Sequence, residues 1–238
     1  MQKFDAQKYK KDIEQAVNLF WDTRSSQNSE RKKSDQGNRS SVTGGKHLDG
    51  FVSLMSKVAT DLGVPQDCVY TKGNALPGFF RPTKDWDLLI ITKKKQLIAA
   101  IEFKSQVGSF GNNFNNRTEE VLGNAVDLWT AFREKGFPQT TPPWIGYFIL
   151  VEKSMKSTNV IRLKEPHYKV RSEFVNTSYL DRYKLLCQKL MLEKHYNAAS
   201  LIWTDSTKSY GSIDSELTVE SFIESYAGFL IGKLNSFK

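Results

Sequence analysis

The stretch DWDLLIITKKKQLIAAIEFK, residues 85–104, decides how this chain is read. Two apolar, partly β-branched runs, Leu88 to Thr92 and Leu97 to Phe103, flank the polar turn Lys93-Lys94-Lys95-Gln96. This predicts a hairpin with a four-residue loop. With Thr92 paired to Leu97, residue numbers across the antiparallel pair sum to 189. Asp87 then lies opposite Glu102, and Asp85 opposite Lys104. All four share one face because side chains alternate along a strand. A slip of one residue, or a bulge, breaks that face.

Like charges directly opposed on a sheet repel, and carboxylates inside an apolar run are costly to bury uncompensated. A divalent cation between Asp87 and Glu102 removes both objections, since Mg²⁺ takes hard oxygen ligands. Lys104 on the same face is placed to orient the attacking water or to stabilise charge on a phosphate in flight. The order Asp-x14-Glu-x-Lys is similar to the motif of the PD-(D/E)xK nucleases. An acidic-x-Lys triplet is cheap in a chain that is 25% charged, and Glu30-Arg31-Lys32 is a second instance. Only Glu102-Phe103-Lys104 ends an apolar strand with an aspartate on its expected neighbour. The competing structural reading makes Asp85 and Lys104 an ion pair at a sheet end.

At 238 residues and 39% hydrophobic content, the chain can bury a sizeable core and is expected to form one domain with embellishments. A formal charge of +8 and a sequence pI near 9.3 favour a polyanionic partner, nucleic acid first and an acidic membrane surface second. No apolar run approaches the roughly 18–20 residues of a membrane span, and MQKFDAQKYKKDIEQ is too polar for a signal peptide. Cys68 and Cys187 lie in apolar contexts as expected buried thiols. His47, His167 and His195 form no zinc spacing. The expected compartment is a reducing cytoplasm.

Tyr9, Ile13, Ala16, Val17, Phe20 and Trp21 recur at helical spacing, which predicts a first helix over 6–23. The tract from Arg24 to Gly45 holds almost nothing apolar. It reads either as a surface loop or as a DNA-contacting one, in which Arg31, Lys32, Lys33, Arg39 and Lys46 neutralise phosphates. Leu48, Phe51, Met55, Val58 and Leu62 mark a helix over 46–62 stopped at Gly63 and Pro65. Asp49 in its first turn is either an acid favoured by the helix dipole or a further carboxylate near the metal. Residues 67–71 predict a short strand and 73–84 a loop into the hairpin.

After Lys104 the chain reads SQVGSFGNNFNNRTEE. Gln106, Asn112, Asn113, Asn115, Asn116 and Arg117 are expected on a loop leaving the catalytic strand, where Asn and Gln can read adenine and Arg guanine. The plainer reading is asparagine in turns. A helix is predicted from Arg117 to about Lys135, with Arg117, Glu120 and Asn124 on one flank. A buried strand follows over 144–151, then a helix over 179–194, a strand over 199–204 and a C-terminal helix from Val219.

Helix, strand, hairpin, helix, strand is the αβββαβ order of the PD-(D/E)xK core. The expected fold is therefore α/β, a restriction-endonuclease-like mixed central sheet flanked by helices. The catalytic core spans about 46–151, with an N-terminal helix and DNA-contacting loop over 1–45 and a helical part over 152–238. Longer strings carry a sharper resemblance. DQGNRSSVTGGKHLDGF (35–51), LPGFFRPTKDWDLLII (76–91), AIEFKSQVGSFGNNFNNRTEEVLGNAVDLWTAFRE (100–134) and EPHYKVRSEF (165–174) with SYLDRYKLLCQKL (178–190) resemble XhoI-type restriction endonucleases. That resemblance implies a type II, Mg²⁺-dependent homodimer cutting the palindrome CTCGAG after its first C to leave 5′ overhangs, with a separate methyltransferase protecting host DNA. By motif, Asp87, Glu102 and Lys104 take the catalytic roles, and Asp87, Glu102 and the Phe103 carbonyl bind metal. The usual proline-aspartate pair is imperfect, because Pro82 lies five residues before Asp87. The hairpin register selects Asp87 over Asp85. A structure-selective nuclease of the same fold and a non-catalytic DNA-binding protein are the alternatives.

Overall fold

The computed structural model describes residues 4–33, 46–138 and 141–238, without the side chains of 27–33. The predicted hairpin is the centre of a six-stranded mixed sheet. Its strands are β1 (Val69–Tyr70), β4 (Leu88–Ile91), β5 (Leu97–Gln106), β6 (Trp144–Glu152), β7 (Ala198–Thr204) and β8 (Tyr210–Gly211), in the order β1-β4-β5-β6-β7-β8. β5–β6 and β6–β7 run parallel, and the outer pairs and β4–β5 are antiparallel. A second, two-stranded sheet joins β2 (Ala75–Pro77) to β3 (Thr83–Asp85).

Alternation along the strands sends side chains to two cores. Leu88, Ile90, Ile101, Phe103, Phe148 and Leu150 face α1 (Lys10–Lys33), α2 (Asp49–Asp61) and α6 (Val219–Lys233). Leu89, Ala100, Ile145, Tyr147 and Ile149 face α3 (Phe110–Arg133) and α5 (Tyr179–Leu192), while the short α4 (Met155–Thr158) follows β6. Helices thus cover both faces of the sheet, which is why β5 and β6 are buried along almost their whole length. α1 and α2 cross closely at Gly50, where an added Cβ would lie 2.8 Å from the Ala16 Cα.

The expected register holds over the middle of the hairpin. Leu88↔Ile101, Leu89↔Ala100 and Ile90↔Ala99 all sum to 189, and a shift after Ile90 then pairs Ile91, not Thr92, with Leu97. The irregularity takes up one residue beside the turn, and the pairing ends at Leu88, one residue short of Asp87.

Three expectations are corrected. α1 does not stop near residue 23 but continues to Lys33, because Gln, Glu, Arg and Lys are good helix formers and need no apolar stripe to continue one. The segment 73–84 is not simply a loop, since it contains β2 and most of β3; with only Leu76 buried among the strand residues, it gave no periodic signal. The asparagine-rich segment is not a loop either. α3 begins at Phe110, so Asn112, Asn113, Asn115 and Asn116 occupy its first turns. Arg39 lies outside the described residues.

Candidate active site

Asp87 sits one residue before β4. Its N–H donates to the Ile101 carbonyl at 3.2 Å, and its Oδ2 accepts the Phe103 N–H at 2.7 Å. The expected 189 register does not extend to this residue: the bond from Asp87 to Ile101 sums to 188 and the backbone bends at Asp87, so its carboxyl reaches the Phe103 N–H from beyond the paired strand, within the field of the Glu102 charge. The N–H and C=O of one strand residue point to the same side, so the Phe103 carbonyl also faces Asp87, past the end of β4. The buried Asn74 fixes this backbone from behind, its Nδ2 donating to the carbonyls of Trp86 (2.7 Å) and Asp87 (3.3 Å).

Glu102 is only 2% exposed, and each of its oxygens is taken by a lysine. Oε1 lies 2.6 Å from Lys104 Nζ, and Oε2 lies 2.8 Å from Lys84 Nζ. Lys104 continues to Glu120 at 2.8 Å, and Glu120 to Arg117 at 2.7 Å, so charges alternate from β3 across β5 to α3. Burial acts to lower the Lys104 ammonium's proton affinity, but the Glu102 charge and its bonds to both glutamates outweigh this and leave it raised. Glu120 is likewise desolvated, yet Lys104 and Arg117 hold its carboxyl below the usual range.

Asp87 stands outside this chain of ion pairs. Burial, then the neighbouring Glu102 charge, pushes its carboxyl up to about 6 against the pull of the Phe103 N–H and the two lysines. A buried acid beside a second acid is the arrangement a divalent cation relieves. Among the described residues no three His, Cys, Asp or Glu side chains gather into one cluster. Two carboxylates, a carbonyl and retained water are nevertheless a donor set that suits Mg²⁺, so the residues fit such an ion.

A cleft of about 630 Å³ opens beside these groups, lined by Asp87, Phe103 and Lys104 together with His47, Asp49, Asn113 and Arg117. Desolvation raises the Asp49 carboxyl, with Lys46 acting against it. The His47 Nε2 is 2.8 Å from Ser105 Oγ, and burial with the charges of Arg24 and Arg117 lowers its pKa to about 4, so the ring is neutral near pH 7.

The structure therefore brings Asp87, Glu102, Lys104 and the Phe103 carbonyl together, with Asp49, Asn113 and Arg117 lining the same cleft. Lys46, Asn112, Asn115 and Asn116 are exposed, and Asn116 borders a separate depression beside Phe80. Gln106 is buried with its amide already used, donating to the Gly108 carbonyl and accepting from Tyr183. The Asp85–Lys104 pair does not form, because Asp85 turns away to pair with Ala75.

Sequence reasoning missed Lys84 altogether. It is delivered by the β2–β3 hairpin, whose tip is tied down by Asp127 of α3. That carboxylate accepts the N–H groups of Phe79 (2.7 Å) and Phe80 (2.9 Å) and pairs with Arg81 at 2.7 Å, while Arg81 also donates to Asn124. The one available signal was strand alternation, which sets Lys84 two residues from Trp86 on a short strand.

The chain is similar to known proteins over most of its length. The profile of the family described as restriction endonuclease XhoI matches residues 27–215. Type II restriction enzyme BstVI of Geobacillus stearothermophilus is 45% identical over 75% of this chain and 82% of its own. Type II restriction enzyme XhoI of Xanthomonas vasicola is 47% identical over 74% of this chain and 73% of its own. Type II restriction enzyme AbrI of Azospirillum brasilense is 42% identical over 72% and 79%. No solved structure matches the chain. With a family profile over residues 27–215 and relatives of this kind across most of its length, the chain belongs to the XhoI family of type II restriction endonucleases.

Proposed function

We propose that the chain is a Mg²⁺-dependent nuclease of the PD-(D/E)xK type that hydrolyses duplex DNA at the palindrome CTCGAG, after its first C, leaving 5′ overhangs. The observation that carries this reading is the convergence of Asp87 and Glu102 at one strand end with Lys104 bonded to Glu102 at 2.6 Å. The αβββαβ order of α2, β1, β4, β5, α3 and β6 supports the fold assignment. The relative named XhoI supports the choice of site.

Asp87, Glu102 and the Phe103 carbonyl are the residues that hold Mg²⁺, with Asp49 a further carboxylate across the cleft. The bound ion supplies a Lewis acid for the scissile phosphate. Lys104, kept protonated by its two glutamates, orients the attacking water and offers charge to the phosphate as negative charge builds on it. Asn113 and Arg117 at the start of α3 are placed to reach base edges, with Asn112, Asn115, Asn116, Lys46 and Arg39 contributing to the duplex surface. Gln106, already bonded within the fold, acts by fixing the turn into α3.

A palindrome matches a two-fold symmetric homodimer in which each copy reads a half-site, and a separate methyltransferase protects the host's own sites. α1 and α6 pack into the same core as α2, which supports one domain over the whole length. Among the described residues no helix is long and apolar enough to cross a membrane, and both cysteines are buried free thiols, which suits a reducing cytoplasm.

Purified protein incubated with plasmid DNA with and without Mg²⁺, followed by sequencing of the ends, tests the whole reading. Cuts confined to CTCGAG and dependent on Mg²⁺ support it. Cutting of branched DNA regardless of sequence would instead assign a structure-selective nuclease. Glu102→Gln and Lys104→Ala are expected to abolish cleavage while retaining specific binding in Ca²⁺, and cutting at the parent rate in both would remove these residues from the chemistry.

A further inference from the structure

A second basic feature leaves the sheet at the same edge as the cleft. β6 ends at Glu152 beside the end of β5, where the Glu152 carboxylate accepts the Gly108 N–H at 3.0 Å. Before α5 the chain makes an excursion whose base is closed by a bond from the Ile161 N–H to the Thr177 carbonyl at 2.9 Å. Residues 162–176 are therefore an omega-shaped loop.

This loop is held in shape by its own acids. Glu165 accepts the Val170 N–H at 2.9 Å and pairs with Lys169 at 3.1 Å, which turns the apex and leaves Tyr168 at it. Glu173 lies 2.8 Å from Lys189 of α5, and Arg182 of α5 donates to Thr177 Oγ1 at 3.1 Å. With so many ties, the loop still leaves the Tyr168 ring 88% exposed. Arg162 and Lys164 are exposed and have no ion-pair partner among the described residues. A large ring held in water by an ordered loop gains nothing for folding, since burying it would be favourable. Uncompensated cations beside such a ring are a surface suited to a polyanion.

The loop is also in the right place. Its outgoing end enters α5 at Tyr179, whose ring stacks on Phe110 at 5.8 Å, and a Cβ added to Gly111 would meet the Tyr179 hydroxyl at 3.0 Å. The loop therefore leads within three residues into the turn of α5 that packs on the first turn of α3, the helix whose Asn113 and Arg117 line the cleft.

We propose that the 162–176 loop is a second contact with duplex DNA, in which Arg162 and Lys164 neutralise backbone phosphates flanking the cut site and Tyr168 packs on the sugar–phosphate edge. This rests on the reading of the cleft as a DNA-cutting site.

The test uses the full chain carrying Glu102→Gln, so that DNA stays intact, and a fluorescent CTCGAG duplex titrated across a range of salt. Adding Arg162→Gln with Lys164→Gln is expected to weaken binding at least tenfold at low salt. The slope of log affinity against log salt should fall by about 1.8, roughly 0.9 per lost phosphate contact. Tyr168→Ala should weaken binding severalfold with the slope unchanged. Lys94→Gln with Lys95→Gln, in the turn at the opposite end of β5, should change neither. Parent-like affinity and slope in the loop variant would overturn the proposal while leaving the cleft reading intact. A parent that binds no duplex at any salt would instead overturn the cleft reading. Thermal melts of the same proteins should coincide; if the double variant melts early, Lys164→Gln alone decides, with an expected slope change of about 0.9.

Discussion

Lys84 Nζ lies 2.8 Å from Glu102 Oε2, on the opposite carboxylate oxygen from Lys104. A buried carboxylate held by two ammonium groups is neutralised without a metal, and a cation that binds Glu102 meets the repulsion of both. Lys84 is the one outside the motif. It comes from a separate small sheet, also contacts the Asp85 carbonyl, and stands 5.0 Å from the centre of the Trp86 ring.

Removing this competing charge is therefore expected to tighten divalent-cation binding. Lys84→Met should lower the Ca²⁺ dissociation constant about tenfold in titration calorimetry without DNA, equivalent to about 1.4 kcal/mol. Lys84→Arg should stay near the parent value. Equal affinity in Lys84→Met and the parent would show that the lysine does not contest the site.

Ca²⁺ should stabilise the folded protein through the same acids. At a concentration one hundred times its dissociation constant, a ligand adds about 2.7 kcal/mol, or roughly 5–10 °C in a domain of this size. Asp87→Asn and Glu102→Gln are each expected to abolish most of that gain in a thermal melt. A full Ca²⁺ shift in both variants would place the cation elsewhere.

Asp87 and His47 should impose opposite pH slopes on stability. The Asp87 carboxyl titrates near 6 when folded and near 3.8 when unfolded, so the folded state holds more protons between these values and stability falls as pH rises through them. His47 titrates near 4 when folded and near 6.5 when unfolded. There the unfolded state holds more protons, and stability falls as pH drops from about 6.5 to 4. Across this shared window the two largely cancel. Asp87→Asn removes one slope, so the metal-free variant should exceed the parent by about 1–3 kcal/mol at pH 7 and lose that advantage by pH 4. Parallel curves for the two proteins in denaturant titrations at pH 4, 5, 6 and 7 would contradict the assignment.

Asp127 is expected to govern the site from a distance by pinning the hairpin that carries Lys84. Asp127→Ala leaves two backbone N–H groups and Arg81 without their acceptor, a cost of about 2–4 kcal/mol. Gly78→Ala should act similarly, since an added Cβ would sit 2.6 Å from the Arg81 carbonyl and 2.7 Å from Asp127 Oδ2. With the tether gone Lys84 should contest Glu102 less, so the Ca²⁺ dissociation constant, measured well below either variant's melting temperature, should fall toward that of Lys84→Met. Stability loss with Ca²⁺ affinity unchanged would show that the tether does not set the position of Lys84.

Much of this arrangement was legible in residues 85–104. The two apolar runs fixed the strands, and strict alternation gave the pairing of Leu88 with Ile101 before any coordinates. The irregularity next to Ile91 was illegible, because turn geometry is settled by backbone strain around Lys95, whose φ is +62°, and not by hydrophobic pattern. The Asn-rich run misled for a related reason. Asparagine's taste for turns is a local preference, overridden here when Phe110 and Phe114 packed against Tyr179 and drew the segment into α3.

By itself, the order of residues determined the strand periodicity and brought Asp87, Glu102 and Lys104 to one end of the hairpin, since these are local consequences of a two-residue repeat and a short turn. Only the folded chain decided what else reaches those acids. Lys84 and Glu120 arrive from elements whose placement depends on distant packing and on the Asp127 tether. Buried charges select their partners by what the whole fold brings within about 3 Å, and no local pattern encodes that.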